Sequence, residues 1–212
     1  MAMSTSLWSF ALVVGLLTLT PGLDTALILR TSALGRRRRA WGVVLGIQSG
    51  TLLWGALTSL GVTALFTASH LAYVTLRWVG AVYLVWIGVR MLRETFRGRS
   101  ASGVPDSDLL AEKDSAAGGW RQGTLTNLLN PKMGAFYVAV LPQFIPAGAN
   151  HFAMGLLLTA VHVLLGLLWS TVLIAGARVL HGWLRKPEAR RLLDRVTGTV
   201  IAAFGVRLAL GD

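Results

Sequence analysis

Long apolar runs separated by short polar connections set the pattern of this chain. They cover about 7–29, 41–65, 71–92, 125–145, 152–180 and 196–210. A run of about 20 apolar residues is enough to cross a hydrocarbon core of about 30 Å. The pattern therefore predicts an all-α polytopic membrane protein of about six transmembrane helices with short loops.

Two of the runs are interrupted. The first contains Thr20-Pro21-Gly22-Leu23-Asp24. Proline removes a backbone donor and clashes with the preceding turn, and glycine lowers the cost of irregular backbone beside it. The fourth contains Asn127, Asn130, Pro131 and Lys132. Broken backbone at membrane depth is tolerated only against protein or a water-filled cavity. Helix breaks are thus expected at Pro21, Gly22 and Pro131, and a site where they face each other. The second run carries Gly42, Gly46 and Gly50. A glycine every four residues lies on one helix face and lets another helix approach closely. That reading needs only helix packing.

Composition agrees with the pattern. The 212 residues are 54% hydrophobic and 14% charged, against about 25% charged in soluble domains, and the mean hydropathy is +0.61. The net charge of +11 does not indicate nucleic acid, because the basic residues cluster in the connections. Arg30 and Arg36 to Arg39 follow the first run. Arg93, Arg97, Arg99 and Lys113 follow the third, mixed with Asp106, Asp108, Glu112 and Asp114, and the segment after the fifth is again basic. The connections after the second and fourth runs have no Lys or Arg. By the positive-inside rule the basic connections are cytoplasmic and both termini outside. The first six residues carry no positive charge, so the first run reads as a retained span rather than a cleaved signal. There is no Cys, hence no thiolate chemistry or Cys-based metal site.

Three spans (residues 1–92), a polar linker (93–119) and three more spans (120–212) imply two repeats of inverted topology, each opening on a proline-interrupted helix. Matching interrupted segments in two halves point to a transporter binding site. With a rise of 1.5 Å per residue, Asp24 lies roughly 25 Å in from the outer side and Lys132 roughly 10 Å in from the cytoplasm, with Gln48 at a similar depth. Asp24, Gln48, Asn127, Asn130 and Lys132 are therefore the candidate substrate-binding residues. Each has a plainer alternative. Lys132 can snorkel to the surface, the two asparagines can satisfy backbone groups freed by Pro131, and Gln48 can bond another helix. Asp24, the one acid in any apolar run, is costly to bury and is the expected coupling residue. His162 is read as a packing histidine, with a proton relay as the alternative.

With those residues on the page, the chain resembles the LysE/RhtB family of bacterial amino-acid exporters. The resemblance rests on Thr20-Pro21-Gly22-Leu23-Asp24-Thr25, Leu29-Arg30-Thr31-Ser32 and Leu45-Gly46-Ile47 in the first half, and on Asn127-Leu128-Leu129-Asn130-Pro131-Lys132 and Leu141-Pro142-Gln143-Phe144 in the second. Leu23 stands where the family often has a second proline, and Met133, Gly134 and Ala135 stand where it tends to carry Ala and bulky apolar residues. The resemblance implies export of an amino acid or related small metabolite across the bacterial cytoplasmic (inner) membrane, driven by the proton or another ion gradient. The partners expected are a small-molecule substrate, the lipid bilayer and a coupling ion, the proton, without cofactor, resident metal or nucleic acid. The sequence is open to a homo-oligomer. The rivals are a cation or metal transporter of the wider superfamily, a non-transporting membrane scaffold, and an intramembrane enzyme using Ser170 and His162. The last is disfavoured because those two residues are two turns apart on one helix. The chain is expected not to be an enzyme.

Overall fold

A computed structural model describes residues 3–20, 22–68, 114–146 and 148–177 continuously, with isolated positions between 75 and 93 and between 179 and 206. The third and sixth expected spans, most of the linker and the basic segment after the fifth span lie outside these stretches, as does Pro21. The described residues are helical, without strands: α1 (Met3–Leu19), α2 (Leu23–Ala33), α3 (Arg37–Ala68), α4 (Ala116–Leu128), α5 (Pro131–Ala139) and α6 (His151–Ala175), with a 3-10 turn at Leu141–Phe144.

By length and composition α3 and α6 can each cross a membrane, and α1 with α2 qualify as a third, bent span. α1 buries Ser6, Phe10, Val13, Val14 and Leu17, one face at helical spacing, while Trp8 and Leu12 on the other face are 78% and 64% exposed. Apolar residues on both faces suit a helix between protein and lipid. α1 stops at Leu19 and α2 restarts at Leu23, with the axes bent by 52°. Gly22 precedes α2 in an extended conformation, without a side-chain cap.

The second interruption is built differently. α4 begins at Ala116, capped by Ser115, inside the stretch read as linker. It ends at Leu128, and Asn130 turns extended before Pro131, the first residue of α5. A residue before proline is pushed out of the helical region, and at the first helical position the missing N–H costs nothing. The Asn130 side chain accepts from the Lys132 N–H at 3.1 Å. α6 starts on a similar cap, Asn150 accepting from the Ala153 N–H at 2.9 Å.

Lipid offers no hydrophobic drive between helices, so close packing decides which helices pair. The α3 glycines meet α4. A Cβ on Gly42 would strike the Ala116 carbonyl, one on Gly46 the Trp120 carbonyl, and one on Gly50 the Asn127 side chain. Gly119 and Gly123 reciprocate against the Arg39 and Val43 backbone. At one end of this seam Arg39, buried, donates its backbone N–H to Asp114 and its Nη2 to Gln122, both at 2.8 Å. Two apolar cores flank the seam. Phe10, Val14 and Leu17 of α1 pack with Met133, Phe136 and Tyr137 of α5, with Phe144, and with Leu158 of α6. Leu27 and Ile28 of α2 pack with Val43, Val44 and Ile47 of α3 and Leu173 of α6.

Candidate functional site

Between the two cores lies a cavity of about 60 Å³, walled by Leu17 and Met133 from one core and Ile28, Ile47 and Leu173 from the other. Its polar lining comes from both interruptions and from the middle of α3 and α6. Asp24, Gln48, Asn127, Asn130 and Lys132, the residues singled out from sequence, all line it. So do Thr20, Gly22, Thr25, Thr51, His162, Trp169 and Ser170.

The break between α1 and α2 carries Asp24 into the first turn of α2. A carboxylate there meets the positive end of the helix dipole. Asn127, fully buried on the last turn of α4, donates its Nδ2 to Asp24 Oδ2 at 2.9 Å. The carboxylate's second oxygen, Oδ1, is shut from solvent and has no hydrogen-bond partner among the described residues. The Oδ1 atom of Asn127 and the Nε1 atom of Trp169 are likewise buried without partners. Three side chains that line the cavity thus carry two buried acceptors and one buried donor without partners among the described residues. Buried polar groups are rarely left unpaired, because each costs about 1–3 kcal/mol of desolvation.

Lys132 is turned inward. Its Nζ donates to the carbonyl of Leu17 at 3.1 Å and to that of Thr20 at 3.4 Å. The last carbonyls of a helix lack intrahelical donors, and a cation is favoured at that end. The first turn of α5 thus closes the open end of α1. Asn130 holds the Lys132 backbone through its cap, the backbone role weighed for it from sequence, whereas Asn127 spends its amide on Asp24. The Gln48 amide lies over Gly166 of α6, where a Cβ would sit 2.8 Å from Nε2.

His162 is buried, and its Nδ1 lies 2.9 Å from the Tyr137 hydroxyl. Ser170 donates to the Gly166 carbonyl of its own helix at 2.6 Å, so its hydroxyl is engaged away from His162. Among the described residues no three His, Cys, Asp or Glu side chains are grouped to hold a metal ion. Thr20 and Thr25 stood out in the sequence only as members of the first motif, and Thr51 and Trp169 not at all. Thr51 was findable, since it lies three residues beyond Gln48 and hence on the same helix face. Trp169 was not, because one Trp in an apolar run carries no signal of its own.

Comparison with known proteins completes the picture. The family model "LysE type translocator" matches residues 13–212. The chain is 30% identical over 204 residues to a homoserine/homoserine lactone efflux protein of Salmonella typhimurium, covering 95% of this chain and 96% of that protein. It is 25% identical over 211 residues to the uncharacterized membrane protein YrhP of Bacillus subtilis, covering 97% and 99%. It is 28% identical over 201 residues to an uncharacterized membrane protein of Vibrio cholerae, covering 95% of each. No solved structure matches. With the family model covering nearly its whole length, the chain belongs to the LysE type translocators.

Proposed function

We propose that this translocator exports a small zwitterionic amino acid, or a close metabolite, across the bacterial cytoplasmic membrane in exchange for protons. The observation that carries the proposal is a set of buried atoms without hydrogen-bond partners among the described residues, all on side chains that line one cavity: an acceptor on Asp24, an acceptor on Asn127 and a donor on Trp169. An α-ammonium needs acceptors beside a negative charge, and an α-carboxylate needs donors beside a positive one. Asp24 and Asn127 meet the first need; Trp169 and Lys132 meet the second. The hydroxyls of Thr25 and Thr51 add short polar contacts suited to a small side chain.

In this reading Asp24 is also the coupling group. As a carboxylate it holds the substrate ammonium; protonated, it releases it. Substrate and proton then compete for one oxygen pair, which is exchange. Lys132 leaves the carbonyls of α1 for the substrate carboxylate, so binding loosens the joint between α1 and α5. A cavity of about 60 Å³ is smaller than the roughly 300 Å³ at which ligand sites begin, and such a loosening would enlarge it. Six spans in two inverted three-helix repeats, with breaks at Pro21 and Pro131 and both termini outside, complete the proposal.

The test is counterflow in proteoliposomes. Labelled homoserine, the common amino acids and simple cations are offered in parallel, because a relative is named for homoserine efflux. Exchange of at least one small neutral amino acid supports the proposal. Movement of a cation with no amino acid overturns it.

A further inference from the structure

Exchange through Asp24 leaves one buried pair unused. Tyr137 is fully buried and does not line the cavity, whereas His162 does. The Tyr137 hydroxyl and His162 Nδ1 are 2.9 Å apart, and the two rings are stacked, 11° from parallel with centroids 5.7 Å apart. Phe136 meets the imidazole edge-on at 5.7 Å. The histidine is therefore held in one orientation, with Nδ1 on Tyr137 and the opposite ring edge, Nε2, left for the cavity.

We infer that Tyr137 and His162 form the path by which protons reach Asp24 from the end of the bundle that holds the 141–150 loop. The inference rests on the proton-driven exchange proposed above. Tyr137 lies five residues beyond Lys132 on α5, about 7.5 Å further toward that loop. Buried hydroxyls continue in the same direction at the α3–α6 contact. Thr159 sits against Gly55 and Ser59 against Gly155, each where a Cβ would collide, and both are fully buried. The titratable side chains around His162 among the described residues are Tyr137 and Lys132 on α5 and Asp24 on α2; α1, α3 and α4 bring none into the cavity.

The transfer balances. A proton arriving at the Tyr137 oxygen lets the original O–H proton pass to His162 Nδ1, while His162 releases its Nε2 proton across the cavity to Asp24. Tyr137 and His162 end neutral, the histidine in its other tautomer, and Asp24 ends protonated. Packing alone does not require a polar bond here, because Phe at position 137 would preserve the ring stack.

The experiment separates two modes of transport in proteoliposomes, using homoserine and the common amino acids as probes. Counterflow needs no net proton movement; accumulation driven by an imposed pH gradient does. Tyr137→Phe should keep counterflow within about twofold of wild type and lower gradient-driven accumulation by about 100-fold, the low end for losing a positioned proton-transfer group. His162→Gln should show the same fall in gradient-driven accumulation and carries the test if Tyr137→Phe does not fold. Retention of gradient-driven accumulation by either folded variant overturns the path. Equal loss of both modes in folded Tyr137→Phe also overturns it, since the pair would then serve binding. If wild type shows counterflow but ignores the pH gradient, proton driving itself fails, and the path with it.

Discussion

The ammonium of Lys132 donates to the main-chain carbonyl of Leu17 across 3.1 Å. One contact thereby joins the two interruptions, from the first turn of α5 to the last turn of α1. Replacing Lys132 with Met keeps much of the side-chain length and removes the donors, leaving the carbonyls of Leu17 and Thr20 without them. A hydrogen bond to a charged group is worth about 1.5–3 kcal/mol, so Lys132→Met should destabilise by roughly that amount. Thermal unfolding in detergent measures it. An unchanged midpoint would mean that the contact contributes nothing to the joint.

Asp24 and Lys132 line the same cavity and should be coupled energetically. Removing one partner of a buried charge pair leaves the other uncompensated. The stability lost by Asp24→Asn with Lys132→Ala should therefore be smaller than the sum of the single losses. Purely additive effects, as at distant sites, would separate the two residues. Asp24→Asn alone should leave an inserted protein without proton-coupled transport, read by uptake into inside-out vesicles.

The glycine seam gives a prediction independent of transport. A Cβ on Gly46 would collide with the Trp120 carbonyl, a backbone atom that cannot swing away. Gly46→Val must push α3 from α4 and with them Gln48 from Asn127. Overpacking costs about 1–3 kcal/mol. At Gly61 a Cβ would meet nothing within 4 Å among the described residues, so Gly61→Ala should be tolerated. Similar melting temperatures for the two variants would contradict the packing.

Orientation follows from single-cysteine labelling, which the absence of native Cys makes clean. Gly35 and Gly148 are poor sites, because φ is 75° and 82° there and a side chain in that region costs about 1–2 kcal/mol. Leu34→Cys and Ala149→Cys report the same connections. An impermeant maleimide should label Ala149→Cys in intact cells and Leu34→Cys only after permeabilisation. The reverse pattern would invert the topology and the direction of the proposed proton path.

The membrane class and the family were legible in the chain, and so were five of the residues that line the cavity. Apolar run length reports bilayer thickness directly. Asp24, Gln48, Asn127, Asn130 and Lys132 stand out because a polar group in an apolar run needs a reason. The interruption at Pro131 was legible because proline acts on its immediate neighbours, wherever the chain goes next. What each polar group does was not legible, because it depends on partners distant in the chain. Asn127 reaches Asp24 over 103 positions and Lys132 reaches Leu17 over 115. Only the tertiary structure turned Lys132 onto α1 rather than toward the surface, and only it set Tyr137 against His162. The glycine spacing at 42, 46 and 50 announced a close helix contact but not its partner. The reciprocal glycines of α4 decided that, since backbone contact requires small residues on both sides.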